Sequence, residues 1–143
     1  MNNFEKLGYL DDDFKIFHII DRQKKEFNFH YHDFNKIIIF IRGNINYTIE
    51  GRSYELKPYD IVLVNAGEIH KPTILDDSAY ERIIIYVSTQ FLQKYSDDDY
   101  NLNYCFECAK KEHSNVLRVP SIEKSKLYQV CLELEHSFSD QAF

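Results

Sequence analysis

The chain has 143 residues, with 17 basic and 23 acidic side chains and a formal net charge of −6. This length predicts one domain, and a hydrophobic fraction of 44% is enough to bury a core, which excludes a globally disordered chain. An acidic chain of this size is a poor nucleic-acid binder on its own because phosphate must meet a basic face, and apolar runs as short as residues 37–41 cannot cross a bilayer.

Short β-strands separated by turns are predicted over most of the first 87 residues. The segment 45–50 shows the pattern most clearly, because apolar and polar side chains alternate there as in a half-buried strand. Evenly spaced short strands predict an antiparallel sandwich or barrel. The predicted strands are residues 14–20, 36–42, 45–50, 54–56, 61–65 and 81–87.

Helices are predicted after residue 88. Segments 88–95 and 102–112 have helical patterns, and the clearest helix covers residues 121–138. Its apolar side chains recur every three or four residues and so form one stripe, which suits either a helix packed on its own barrel or a helix that pairs with a second subunit. The stripe consists of Leu127, Val130, Cys131, Leu134 and Phe138.

The three cysteines favour a reducing compartment. Their number is odd and no export signal is evident at the start of the sequence, so we expect free thiols and a cytoplasmic protein. Cys105 and Cys108 form a C-x-x-C pair, which suits a redox pair or half of a zinc site. No second ligand pair lies nearby, so structural thiols are the expected interpretation.

Three histidines mark the strand-rich part of the sequence. His30 and His32 are two residues apart and therefore point to the same face of an extended segment. Counting on by twos places Lys36 on that face as well. His70 follows a strand and a turn that contains Gly67.

Two motifs carry a resemblance to a known family. Residues 30–43, HYHDFNKIIIFIRG, resemble the first motif of the cupin superfamily, in which H-x-H is followed by Glu and then Gly. Residues 59–70, YDIVLVNAGEIH, resemble the second motif, G-x5-P-x-G-x2-H. The longer segment 28–92 is similar to the N-terminal, effector-sensing domain of AraC-type bacterial transcription regulators.

The resemblance implies a fold and a division of the chain. A cupin barrel, a double-stranded β-helix or jelly-roll-like antiparallel barrel, would occupy residues 1–95, with an N-terminal arm (1–13) able to close over the pocket. C-terminal helices in residues 96–143 would form a homodimer. DNA would be bound only through a helix-turn-helix domain that is absent from this chain.

The sequence departs from the family's motifs at three positions. Lys36 stands where the motif has its Glu, Tyr59 replaces a Gly and Asn65 replaces a Pro. In metal-dependent cupins the motif histidines and the Glu form a three-histidine, one-carboxylate site. His30, His32 and His70 could still supply three nitrogens, but a protonated lysine has no lone pair and repels a dication. We therefore expect no cofactor, no native metal and no catalytic residue.

The mouth of a small barrel can hold one small molecule. Imidazole, phenol and ammonium groups there would suit a polar ligand such as a sugar or a small acid. Each residue also has a plainer interpretation: Lys36 reaching solvent, the histidines as rim residues, the tyrosines as core packing, and Arg82 as a surface or structural ion-pair residue. The predicted ligand-binding residues are His30, His32, Lys36, Tyr47, His70 and Tyr86.

Three functions remain open at this point. The leading hypothesis is a sensor that changes state on binding a small-molecule effector and so biases a DNA-binding domain. A small metal-dependent cupin enzyme, an isomerase or a dioxygenase, would instead use His30, His32 and His70. A carbohydrate-binding or storage module would bind without switching.

Overall fold

The computed structural model describes residues 4–99, 101–118, 121 and 125–141, with side chains described to residue 137 in the last helix. Ten strands and three helices are assigned in these residues. The strands are β1 (Glu5–Lys6), β2 (Phe14–Asp21), β3 (His30–Tyr31), β4 (Asn35–Arg42), β5 (Ile45–Ile49), β6 (Arg52–Glu55), β7 (Ile61–Val64), β8 (His70–Ile74), β9 (Tyr80–Val87) and β10 (Val116–Leu117). The helices are α1 (Thr89–Lys94), α2 (Tyr104–Lys111) and α3 (Lys126–Gln141).

The strands form two five-stranded sheets. One sheet has the order β1-β3-β8-β5-β6 and the other the order β10-β7-β4-β9-β2. All described pairings are antiparallel except β1 with β3, which is parallel. The predicted fold class, a mostly β two-sheet barrel followed by C-terminal helices, is confirmed.

The strands β4 and β9 separate two hydrophobic clusters. Ile38 and Ile84 face the interior cluster between the sheets, whereas their neighbours Ile39 and Ile83 face an outer cluster that includes Cys131 of α3. Successive side chains of a strand point to opposite faces, so a run of isoleucines can be buried on both sides. This explains why residues 37–39 do not alternate with polar residues.

Helix α3 lies on the outer face of the second sheet. Cys131 is buried there, and Tyr128 and Leu134 pack against the same cluster. Leu127 and Val130 are 54% and 46% exposed, so the predicted stripe lies partly against the sheet and partly at the surface, and its role in a dimer stays a prediction. The side chain of Phe138 and residues 122–124 lie outside the described part of the chain.

Residues after 95 also contribute to the second sheet, because β10 pairs with β7 at its edge. The predicted division of the chain into a barrel (1–95) and a helical segment (96–143) stays a prediction. No helix among the described residues is long and apolar enough to cross a membrane.

Candidate functional site

A cavity of about 290 Å³ lies between the two sheets. Most of its wall is aliphatic or aromatic, and a few polar side chains project from β3, β4, β5 and β9. The lining residues are Leu7, Gly8, Tyr9, Ile19, Phe27, His30, His32, Phe34, Lys36, Ile38, Tyr47, Pro72, Tyr80, Arg82, Ile84 and Tyr86.

Five of the six predicted ligand-binding residues line this cavity. They are His30, His32, Lys36, Tyr47 and Tyr86. His70 is fully buried behind the wall, with its ring centroid 4.4 Å from that of His30 and 4.9 Å from that of His32. The structure therefore brings the three predicted histidines together, although only two of them face the cavity.

Backbone carbonyls orient the three imidazoles. The Nδ1 atoms of His30, His32 and His70 donate to the carbonyl oxygens of Asn28 (2.8 Å), Leu7 (2.7 Å) and Glu68 (2.9 Å). Because a carbonyl only accepts hydrogen bonds, Nδ1 carries the proton in each ring and Nε2 keeps its lone pair. The Nε2 atoms of His32 and His70 are buried and have no hydrogen-bond partner in the described part of the chain.

These histidines are neutral at physiological pH. Burial is the main cause in each case, and the positive charge of Lys36 adds to it. The pKa is lowered from 6.5 to about 4 for His32 and to about 2 for His70. The cluster thus presents lone pairs, and not positive charge, to its surroundings.

Lys36 is buried, and no carboxylate among the described residues pairs with it. Its side chain is 8% exposed, and Nζ donates to the hydroxyl of Tyr47 at 3.3 Å. Burial first, and then the charge of Arg82, lowers the pKa of Lys36 from 10.5 to about 7. The alternative in which Lys36 reaches solvent is therefore wrong. Tyr47 is 1% exposed and belongs both to the cavity wall and to the hydrophobic core.

Arg82 lines the cavity although it is not among the predicted ligand-binding residues, and of its two expected roles the structural ion pair is the one observed. It is 7% exposed, and its Nη1 atom donates to a carboxylate oxygen of Asp21 at 2.7 Å and to the carbonyl of Tyr80 at 3.3 Å. Its Nε atom is buried without a partner in the described residues. The signal was present: Arg82, Ile84 and Tyr86 alternate along β9 and so share one face.

The segment that precedes β2 covers part of the cavity. β1 pairs with β3, and the Leu7 backbone N–H donates to the carbonyl of Tyr31 at 2.9 Å. The Leu7 carbonyl accepts from His32, and Leu7, Gly8 and Tyr9 all line the cavity. The hydrogen bond between His32 and Leu7 thus joins the cavity wall to the N-terminal arm.

The donor chemistry of the histidine cluster fits a transition-metal ion. One ring nitrogen from each of His30, His32 and His70 lies within 4.8 Å of the others. Carbonyl-bound Nδ1–H groups and free Nε2 lone pairs are what metal-binding imidazoles usually present. Lys36 stands where metal-dependent cupins have a carboxylate, so the cluster lacks that anionic fourth ligand. The expected absence of a native metal stays a prediction.

Several solved structures are similar to this chain. One is an RmlC-like cupin family protein with a double-stranded β-helix fold from Methanocaldococcus jannaschii, with 21% identity and a TM-score of 0.48, covering 59% of this chain and 77% of the other. A cupin 2 conserved barrel domain protein from Salinispora arenicola has 14% identity and a TM-score of 0.49, covering 59% and 71%. The DMSP lyase DddQ from Ruegeria pomeroyi has 19% identity and a TM-score of 0.49, covering 55% and 40%.

A comparison with curated proteins finds no match. The model of the family described as AraC-like ligand binding domain matches residues 14–142. This range is nearly the whole chain and contains every strand of both sheets except β1. The match includes every predicted ligand-binding residue. The chain therefore belongs to the family of AraC-like ligand binding domains.

Proposed function

We propose that this chain is the effector-sensing and dimerisation domain of an AraC-type transcription regulator, and that it binds a small polar molecule, a sugar or a small acid, inside its barrel. The cavity is the observation that carries the proposal, because it places buried polar side chains of both sheets around a space for one small molecule. DNA would be bound by a separate helix-turn-helix domain. The regulator would work in the cytoplasm, where its free cysteines stay reduced.

Effector binding in the cavity would be coupled to the position of the N-terminal arm. A ligand that contacts His32 also affects the hydrogen bond from its Nδ1 atom to the Leu7 carbonyl. An effector can shift a regulator between two states only by binding one of them more tightly. The arm is held in place by β1 and by this hydrogen bond. The two states would differ in the position of the arm, and the effector would bind one of them more tightly.

Filling the cavity should abolish effector binding. In a thermal-shift panel of sugars and small acids, we expect at least one compound to raise the melting temperature saturably, because a ligand of the native state stabilises it by mass action. Ile84→Phe should remove the effect because its ring would occupy the cavity. Ile83→Phe is the matched control, since it introduces the same ring on the opposite face of β9, away from the cavity. A response retained by Ile84→Phe would contradict the proposal.

The exposed edge of α3 should carry the dimer contact. Leu127 and Val130 leave an apolar surface beside a helix face that is already packed on the sheet. Leu127→Glu with Val130→Glu should therefore convert a dimer to a monomer without unfolding it, as measured by analytical ultracentrifugation and circular dichroism. Gln129→Glu adds a charge at an exposed position on a different side of the helix and serves as the control. A wild-type monomer, or a double variant that remains dimeric, would contradict the dimer proposal.

A small metal-dependent enzyme is the second candidate, and the histidine cluster favours it. The missing carboxylate at Lys36 argues against it. Metal analysis of protein purified without a His tag separates the two candidates. The regulator proposal predicts metal well below one ion per chain. Near-stoichiometric iron, manganese, nickel or zinc together with turnover would select the enzyme.

A further inference from the structure

The charged side chains that line the cavity are all cationic. Lys36 and Arg82 both line it, and none of the described lining residues carries a carboxylate. Asp21 pairs with Arg82 from β2, whereas in the described part of the chain Lys36 has only the Tyr47 hydroxyl as a hydrogen-bond partner. One buried cation is therefore left without a counter-ion.

Buried cations without a partner are costly, so such a group needs a functional explanation. A bound anion supplies the missing charge. A hydrogen bond from an ammonium to a carboxylate is stronger than one between neutral groups, and in a buried site little water competes with it. The unpartnered Nε of Arg82 offers a further buried donor.

The apolar part of the wall does not suit a sugar. Ile19, Phe27, Phe34, Ile38 and Ile84 have no polar side-chain atom to meet a ring of hydroxyl groups. Burying a hydroxyl without a hydrogen-bond partner costs free energy. The cavity of about 290 Å³ is also at the low end of ligand pockets, which span roughly 300–1,000 Å³.

We infer that the effector is a small monocarboxylate with an apolar, aromatic or aliphatic body, and that Lys36 and Arg82 bind its carboxylate. This inference rests on the proposed sensing function and narrows its ligand from sugars or acids to acids. The Tyr47 hydroxyl accepts from Lys36 and can donate its own proton to the anion. The lone pairs of the histidine cluster repel the carboxylate and so direct it towards Lys36.

Matched acids and amides provide the test. Benzoate, benzamide, hexanoate, hexanamide and D-glucose are titrated calorimetrically into the whole chain at pH 6.5 with EDTA, which prevents an adventitious metal from holding the acid. We expect benzoate or hexanoate to bind at least about tenfold more tightly than its amide, as the loss of a charged hydrogen bond implies. Lys36→Met should remove this preference for the acid. Lys15→Met, which changes an exposed lysine on β2, should leave it unchanged.

The outcomes separate this inference from the proposed function. Amides that bind as tightly as the acids, or a Lys36→Met variant that still prefers acids, would overturn the carboxylate inference. Binding of glucose that Ile84→Phe abolishes, with no binding of either acid, would overturn it and leave the sensing function intact. If none of the five compounds binds, the inference is overturned, and the broader thermal-shift panel then decides the sensing function.

Discussion

Replacing Lys36 by methionine should make the folded protein about 4 kcal/mol more stable at pH 7. Burial lowers the pKa of this amine from 10.5 to about 7, so the folded state holds the proton far more weakly than the unfolded state does. At roughly 1.4 kcal/mol per pH unit, the difference amounts to about 4 kcal/mol at pH 7. Methionine fills a similar volume without charge, so the variant avoids this cost.

The same pKa fixes how the gain depends on pH. Between pH 7 and pH 10.5 the unfolded chain binds more protons at Lys36 than the folded chain does, so wild-type stability rises with pH in this window. The advantage of Lys36→Met should therefore fall from about 4 kcal/mol at pH 7 to about 2 kcal/mol at pH 9. Urea unfolding at both pH values measures it, with Lys15→Met as the control. A variant less stable than wild type at both pH values would show that interactions in the folded state compensate the burial of the Lys36 amine.

Replacing Asp21 by asparagine should destabilise the protein by about 3 kcal/mol. Its carboxylate accepts from Arg82 at 2.7 Å, and both side chains are largely buried, at 14% and 9% exposure. Removing one partner of a buried ion pair leaves the other charge uncompensated. The second pair of Asp21, with the exposed Lys25, contributes little because solvent screens it.

A double-mutant cycle identifies the cause of this loss. Adding Arg82→Met to Asp21→Asn should recover much of the stability, because the uncompensated charge is then removed. Asp12→Asn is the matched control, since Asp12 is exposed and lies 4.0 Å from Lys15. Asp21→Asn should also be stabilised more by benzoate than the wild type is, because the anion replaces the lost carboxylate. A loss below about 1 kcal/mol would show that Arg82 does not depend on Asp21.

The period-two pattern predicted most of the barrel and much of its interior. Counting by twos from His32 placed Lys36 on the cavity wall, and the alternation in residues 45–50 placed Tyr47 there. The pattern could not predict β8, because Pro72 within it argues against a strand. That strand begins at His70, so no local pattern places His70 behind the wall and His30 on it.

Long-range contacts explain the other differences. Arg82 is buried because Asp21, 61 residues away, lies beside it across the pairing of β2 with β9. The orientation of α3 depends on the outer sheet face formed by Ile39 and Ile83, which selects Tyr128 and Cys131 for burial and leaves Leu127 exposed. Helical spacing alone shows which residues share a face and does not show which of two overlapping faces meets the sheet.

Methyl NMR of isoleucine-labelled protein tests most directly whether the cavity between the sheets is the ligand site. Ile38 and Ile84 point into it, whereas Ile39 and Ile83, their neighbours in sequence, point to the helix side of the same strands. During titration with benzoate, hexanoate and D-glucose, we predict saturable shifts of the Ile38 and Ile84 methyl signals for at least one compound, with the Ile39 and Ile83 signals nearly unchanged. Saturable shifts confined to the outer face would contradict the account. No response to any of the three compounds would overturn the carboxylate inference, and the titration is then repeated with the compound that the thermal-shift panel selects.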